Sequence, residues 1–429
     1  MSVCSGKETA MSNSDHAQNA YFYALMFCVA CAILILRRPD IVTNAQPWAE
    51  DGRDWFRGVY ENGLISLLYP QDGYYQTLSR FIWFVAQYFG LRHMAFAATL
   101  IAVALRAAFA AFLLSPRLDR CDWHYRFCAY FYLLLMPNLA EGYVSANTVH
   151  WHMTMYLLAV LLADEPKTLL WKAHDYLLLI FSGLSGPFII FMAPCLALKR
   201  VCERGGVLNA VKKINLFDLL FGAVTLVQVA AVLLTALRVR SHSPLGASVP
   251  LLLQIFSYRT FAGSFLPNRV FLQGQEPSLA FGIFGVLLFA AMLVTFFAKT
   301  KSRAGAIILT FAFLVPAFGL MRPMIDVTRP QLPLLLLPEA GGRYFFIPNF
   351  AFGLLVIWFV EQLGSVCSTR VRDVAMLLLF ILLAANFRIE PVHEVGYAQA
   401  IERFEAAPAG TTMTIPLAPR GWSMTLTKK

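Results

Sequence analysis

Charge is scarce in this sequence. Asp, Glu, Lys and Arg make up 14% of its 429 residues, against 58% hydrophobic, and the mean hydropathy is +0.61. Such a balance excludes an ordinary soluble chain. Segments of alternating polarity about 10 residues long, the mark of a closed membrane barrel, are also missing. There is no P-loop and no dinucleotide-binding glycine fingerprint, so no sign of cytoplasmic nucleotide chemistry. No internal repeat is visible. The net charge of +10 comes with no basic tail or nucleic-acid motif. Its basic residues lie in short clusters between apolar runs, the distribution that membrane insertion sets, so no nucleic-acid partner is expected.

What is present is a succession of apolar runs, and about 20 apolar residues suffice to cross a hydrocarbon core. The expectation is an all-α polytopic membrane protein with eleven spans, at roughly 21–36, 93–114, 127–144, 149–163, 173–186, 187–198, 216–237, 279–298, 304–320, 343–360 and 373–386. The polar N-terminal stretch precedes an apolar run without a small-residue cleavage site, so the first span reads as uncleaved and the N-terminus as cytoplasmic. Residues 1–386 form the transmembrane domain, with outer loops 37–92, 238–278 and 321–342, and residues 387–429 a small outer tail. In that tail TTMTIPLAP and GWSMTLT read as two short strands around a turn.

Lysine and cysteine fit this topology. Lys7, Lys167, Lys172, Lys199, Lys212, Lys213, Lys299 and Lys301 fall in segments assigned to the cytoplasm, and Lys428 and Lys429 end the chain. Short cytoplasmic loops do favour basic residues. Cys28, Cys31, Cys128 and Cys195 lie in spans, and Cys4, Cys121, Cys202 and Cys367 at cytoplasmic segments. No outer loop carries a cysteine, so no disulfide framework is indicated. The run 175–198 is read as a hairpin broken at Gly186-Pro187, because only that keeps both lysine-bearing flanks inside. YYQTLSRFIWFVAQYFG, 74–90, has Leu78, Phe81, Ile82, Val85 and Phe89 at helical spacing opposite a mixed face of Gln76, Arg80, Trp83 and Gln87. That pattern predicts an interfacial helix in the first outer loop, and 250–261 is a candidate for a second.

Against this background WAEDGRDWFRGVYENG, 48–63, stands out. It places Glu50, Asp51, Asp54 and Glu61 directly after the first span, on the outer face. Acids contribute little to orientation, so topology does not require them. The plain alternative is a solvated loop partly paired through Arg53 and Arg57, and exposed pairs of that kind do little. The loop returns to the membrane through an interfacial helix, however, which holds the acids at the bilayer surface. A carboxylate near low dielectric beside another acid can have its pKa raised into the range of a useful base.

"AEDGRDWF…NGLISLLYPQDGYYQTLSRFIW", "NTVHWHMTMYLLAVLLAD", "SGLSGPFIIFMAP", "GGRYFFIP" and "IPLAPRGWSMTL" together resemble bacterial membrane proteins of the GT-C glycosyltransferase superfamily. The resemblance follows the order of features along most of the chain. It implies a polyprenyl-phosphate-linked sugar donor, an outer-face active site and the bacterial inner membrane with the site facing the periplasm. It further implies a catalytic base early in the first outer loop. Carried onto this sequence the candidates are Asp51, then Glu50 and Asp54, and the resemblance does not choose among them.

A phosphate-linked donor leaves as a lipid phosphate, so cations are needed near the outer interface, and the arginine fork suits them. Arg322, Arg329 and Arg343 in the third outer loop and Arg259 and Arg269 in the second are available; the competing role is interfacial anchoring. Tyr344 follows Arg343, Tyr74 opens the returning helix and Arg80 lies on its mixed face. NTVHWHM sets Asn147, His150 and Trp151 at an outer helix end, where Trp could stack on a sugar or simply belong to the aromatic belt. His150 and His152, two apart, point to different helix faces and do not make a metal site. Arg106, inside the second span, reads as structural. Cys28 and Cys31 lack any redox context. No cofactor follows from the sequence; a divalent cation is compatible with the acids, which alone do not establish one.

The sequence therefore favours a membrane glycosyltransferase acting on a lipid-linked sugar donor and a surface glycan or glycolipid acceptor within the lipid bilayer. The competing reading is a transporter or flippase for lipid-linked sugars or other anionic lipids. Transporters place polar residues and broken helices near the midplane in symmetric repeats, whereas here the ionisable residues crowd the outer interface. A polymerase joining surface polysaccharides would be expected to show one large outer loop.

Overall fold

The computed structural model describes residues 13–71, 73–235, 243–300, 302–321, 323–326 and 328–429, with only the backbone of 13–20. Cys4, Lys7, Lys301 and Arg322 lie outside the described residues. Thirteen helices carry the argument: α1 Asn13–Arg37, α2 Thr77–Ala86, α3 Leu91–Leu113, α4 Trp123–Leu135, α5 Val149–Leu162, α6 Leu169–Gly183, α7 Phe188–Arg204, α8 Leu216–Thr235, α9 Leu279–Thr300, α10 Arg303–Gly319, α11 Phe346–Val366, α12 Thr369–Ala384 and α13 Tyr397–Ala406. A hairpin of β1 Thr412–Leu417 and β2 Trp422–Thr427 follows.

Most of the apolar runs are helical over most of their length. Among the described residues four helical segments, 91–113, 216–235, 279–300 and 342–366, are long and apolar enough to cross a membrane by length and composition, and 21–37, 149–162 and 303–319 are shorter apolar helices. The centre of the molecule is α3, packed against α1, α2, α4 and α5. Its alanines make this approach close: Ala95, Ala98, Ala102, Ala107 and Ala110 are all buried, as small residues are at helix contacts in membranes.

Several boundaries differ from the sequence reading. The run 127–144 is helical only to Leu135. Pro137 disfavours the α region for the residue before it, and Met136 is extended (φ −51°, ψ 140°). The following segment bends through two left-handed residues, Asn138 (φ 63°) and Val144 (φ 55°). The run 175–198 is indeed two helices, with α6 ending at Gly183 and α7 beginning at Phe188. The helix expected over 74–90 is shorter, and it is not amphipathic in use. Arg80, Ile82 and Trp83 are all buried, because the acidic loop closes over the face that the sequence would leave to water. The candidate at 250–261 is a short helix, Val249–Ile255, running into a π-helical turn, Phe256–Ala262, packed against α9.

The C-terminal tail folds back onto the acidic loop 48–63. In the hairpin Ile415 and Leu417 on one strand and Met424 and Leu426 on the other are buried, while Thr412, Thr414, Thr425 and Thr427 are exposed, the alternation of a one-sided antiparallel pair. Leu417 lies against Gly52, where a Cβ would come within 2.3 Å of its Cδ2. Only glycine leaves room for the hairpin there.

Candidate functional site

The acidic loop is held from outside by the tail. The Ala49 N–H donates to the Ala418 carbonyl at 2.5 Å and the Ala418 N–H to Pro47 at 3.2 Å. Ala49 itself sits at φ 48°, a region that non-glycine residues rarely occupy. Asp51–Phe56 then winds as a π-helical turn, burying Trp55 and Phe56. Left-handed non-glycine residues and π turns concentrate at functional sites, where surrounding contacts must hold them.

This turn sends neighbouring acids in different directions. Glu50 lines the largest of the described cavities, about 380 Å³. Asp51 is 2% exposed and turned away from it; it accepts from Trp83 Nε1 at 3.0 Å and borders a cavity of about 30 Å³ with Tyr143 and Ser145. Asp54 is paired with Arg53 at 2.9 Å.

A second segment, 142–148, meets the first at Asn147. Trp55 Nε1 donates to Asn147 Oδ1 at 3.3 Å, which fixes the amide orientation, and Asn147 Nδ2 donates to Glu50 Oε2 at 3.0 Å. The segment is braced from within by Arg106 of α3, which donates to the Ser145 carbonyl at 3.0 Å and to Thr148 Oγ1 at 2.9 Å. This buried arginine is thus a strut for the loop that orients Glu50.

The cavity gathers seven of the residues singled out by sequence: Glu50, Tyr74, Asn147, His150, Trp151, Arg343 and Tyr344. His150 is buried, its ring stacked on Phe188 at 5.7 Å, and its Nδ1 has no hydrogen-bond partner. His152, two residues on, borders a different cavity and lies over Phe346. Arg343 is steered by Glu141, which accepts from Arg343 Nη1 at 2.9 Å and from its backbone N–H at 3.1 Å; Arg343 Nη2 reaches the Met324 carbonyl at 2.6 Å. Opposite this polar end the wall is apolar. Phe188, Ile190 and Phe191 come from α7, Val232 from α8, and Val315 and Phe318 from α10, and the rings of Phe191 and Phe318 are stacked at 5.1 Å.

The other predicted residues lie elsewhere. Arg80 is buried under the loop, with its guanidinium 4.8 Å from the Trp55 ring centre. Arg259 is 1% exposed and donates to the carbonyls of Leu335 and Leu337. Arg329 is exposed and bound to Asp326. Sequence reasoning did not find Gln76, Glu141 or the phenylalanine wall; Glu141 was legible only as a lone acid in an apolar stretch.

Burial raises the Glu50 carboxyl above the ordinary range, against the pull of the Arg343 charge. Burial raises Asp51 further, to about 7, although the hydrogen bond from Trp83 draws it down and Glu50 adds a smaller upward push. Among the described residues no group of three or more His, Cys, Asp or Glu is placed to hold a metal ion.

No protein-family model and no curated protein matches this chain. It is similar to two solved structures of the oligosaccharyltransferase of Archaeoglobus fulgidus. The apo form gives a TM-score of 0.41 at 12% identity, covering 90% of this chain and 59% of that one. The complex with zinc and sulfate gives 0.38 at 13% identity, covering 90% and 56%. This chain thus spans less than two thirds of the length of that protein, and likeness at this level carries no argument about activity.

Proposed function

We propose that this chain is an integral membrane glycosyltransferase. It moves a sugar from a polyprenyl-phosphate-linked donor to a hydroxyl of a surface glycan or glycolipid, on the periplasmic side of the bacterial inner membrane. The observation that carries the reading is the composition of the 380 Å³ cavity, a carboxylate and an arginine at one end and a phenylalanine-lined wall at the other. An amphipathic donor needs both: an apolar wall for the lipid and a guanidinium fork for the phosphate that departs with it.

Among the three acids the base is Glu50. Asn147 holds Oε2 and leaves the second oxygen to take a proton from an acceptor hydroxyl. Its raised pKa makes it a stronger base than a free carboxylate. The acceptor oxygen then attacks the anomeric carbon, and the lipid phosphate leaves with the bond electrons beside Arg343. Tyr74, His150 and Trp151 line the space for the sugar, and Asp51 acts as a positioning residue beneath the loop.

The test is a glycan profile, by mass spectrometry, of cells lacking the protein and complemented with variants expressed at equal level. Glu50→Gln is expected to lower transfer by about 10²–10⁴-fold, the usual contribution of a general base, while Asp54→Asn restores the wild-type profile. If Glu50→Gln restores the missing sugar fully, Glu50 is not the base. If the sugar is instead found attached to the lipid carrier and confined to the inner leaflet, the chain is a transporter.

A further inference from the structure

A second cavity, about 100 Å³, is bordered by four arginines, Arg37, Arg259, Arg269 and Arg388, and by three acids, Glu141, Glu339 and Glu390. Three of these charges are neutralised: Arg269 pairs with Glu390 at 2.7 Å, and Glu141 pairs with Arg343 at 2.9 Å. The other three arginines are not. Arg37, 1% exposed, donates only to the carbonyls of Phe387, Leu134 and Met136. Arg259, also 1% exposed, donates to two carbonyls through Nη1, and its Nε has no partner at all. Arg388 donates to the Leu36 carbonyl at 2.7 Å. Among the described residues no carboxylate lies within ion-pair distance of any of the three.

Burying guanidinium groups without a counter-charge is unfavourable, and carbonyl dipoles offset only part of it. Their anchoring to backbone also means that they are already in place for a ligand and need not reorganise. The volume fits one small oxyanion with a water or two, given a water's share of about 30 Å³. The exposed side chains of Arg269, Arg388 and Glu390 mark the cavity's open side, so the anion can belong to something larger. Glu141 links the two cavities physically. It borders this one while its carboxylate holds Arg343, which borders the other.

We propose that this cavity is a second anion site, which seats a phosphate or carboxylate carried on a sugar of the acceptor. That the anion belongs to the acceptor rests on the transferase reading above; that the site binds an oxyanion does not. The test uses the purified full-length protein in detergent, titrated at constant ionic strength in chloride with glucose 6-phosphate, glucuronate and inorganic phosphate, and read by calorimetry. Wild type is expected to bind both sugar anions saturably. Arg388→Gln, a change at an exposed side chain, should weaken both by at least about tenfold, the effect of losing one charged hydrogen bond. Arg259→Lys should also weaken them, since it keeps the charge and loses the fork. Glu50→Gln should leave the affinity unchanged, which separates this site from the catalytic cavity. Equal affinity in wild type and Arg388→Gln, or no saturable binding over chloride, overturns the site. Binding of inorganic phosphate alone overturns its assignment to a sugar-borne anion. Failure here with loss of transfer in Glu50→Gln leaves the transferase reading standing; the reverse result removes that reading and keeps the anion site.

Discussion

Glu50 and Asp51 are adjacent, yet their surroundings give their carboxyls different work. Asp51 is buried, receives the indole N–H of Trp83, and has its pKa raised to about 7. A folded-state pKa above the unfolded value near 3.9 means that the native state holds the extra proton between the two. The stability contributed by protonated Asp51 is therefore complete below pH 4 and is lost as pH rises through about 7. The full difference is on the order of 4 kcal/mol, at 1.36 kcal/mol for each pKa unit. Asp51→Asn keeps an oxygen to accept from Trp83 and removes the titration. It should melt at a higher temperature than wild type at pH 8, with the gap shrinking steadily towards pH 4. A gap that is the same at both ends of that range would mean that Asp51 is not protonated on folding.

At the scale of elements, close approach decides the packing around the site. A Cβ at Gly353 of α11 would stand 2.0 Å from the Tyr132 ring of α4. That ring cannot step aside: it is fully buried, and its hydroxyl donates to the carbonyls of Ser264 and Asn349. Gly353→Ala should destabilise the protein by about 1–3 kcal/mol, the range for overpacking, seen as a lower melting temperature; an unchanged value would show that α4 and α11 slide freely. Which segments become helices was legible, because runs of apolar residues long enough for a helix leave few alternatives, and Gly186-Pro187 interrupts one of them visibly; the span read over 127–144 ran through Pro137, whereas the helix stops at Leu135. The direction of each acid was not legible. Asp51, Glu50 and Asp54 look alike in WAEDGRDW, and only the left-handed Ala49 and the π-helical turn after it send Glu50 into the large cavity and Asp51 beneath it. Neither feature has a signature in the residue types that carry it. What places Arg343 on the large cavity was not legible either, since it is held there by Glu141, 202 residues away along the chain.

For the whole molecule, the site depends on segments far apart in sequence. Glu50 comes from the acidic loop after α1, Asn147 from the turn before α5, and Arg343 from the approach to α11. The loop carrying Glu50 is also clasped by the last strands: Ala49 pairs with Ala418, Gly52 seats Leu417, and Arg53 lies 4.5 Å from the Trp422 ring centre. A loop held at a left-handed alanine has no reason to keep that conformation alone, so the hairpin supplies what the loop's own sequence does not. Leu417→Ala empties the space beside Gly52, and a buried change of that kind costs about 2–5 kcal/mol. The cost should fall on the hairpin and loop as one local unit, not on the helices, because local openings follow contiguous packing. Hydrogen exchange is then expected to speed up over residues 47–56 and 412–427 while the amides of α5 and α11 keep their protection, and transfer should drop even though Glu50 is untouched. Exchange that rises equally in all helices would make the hairpin part of the global core. Exchange unchanged at 47–56 would mean that the loop holds its shape without the tail.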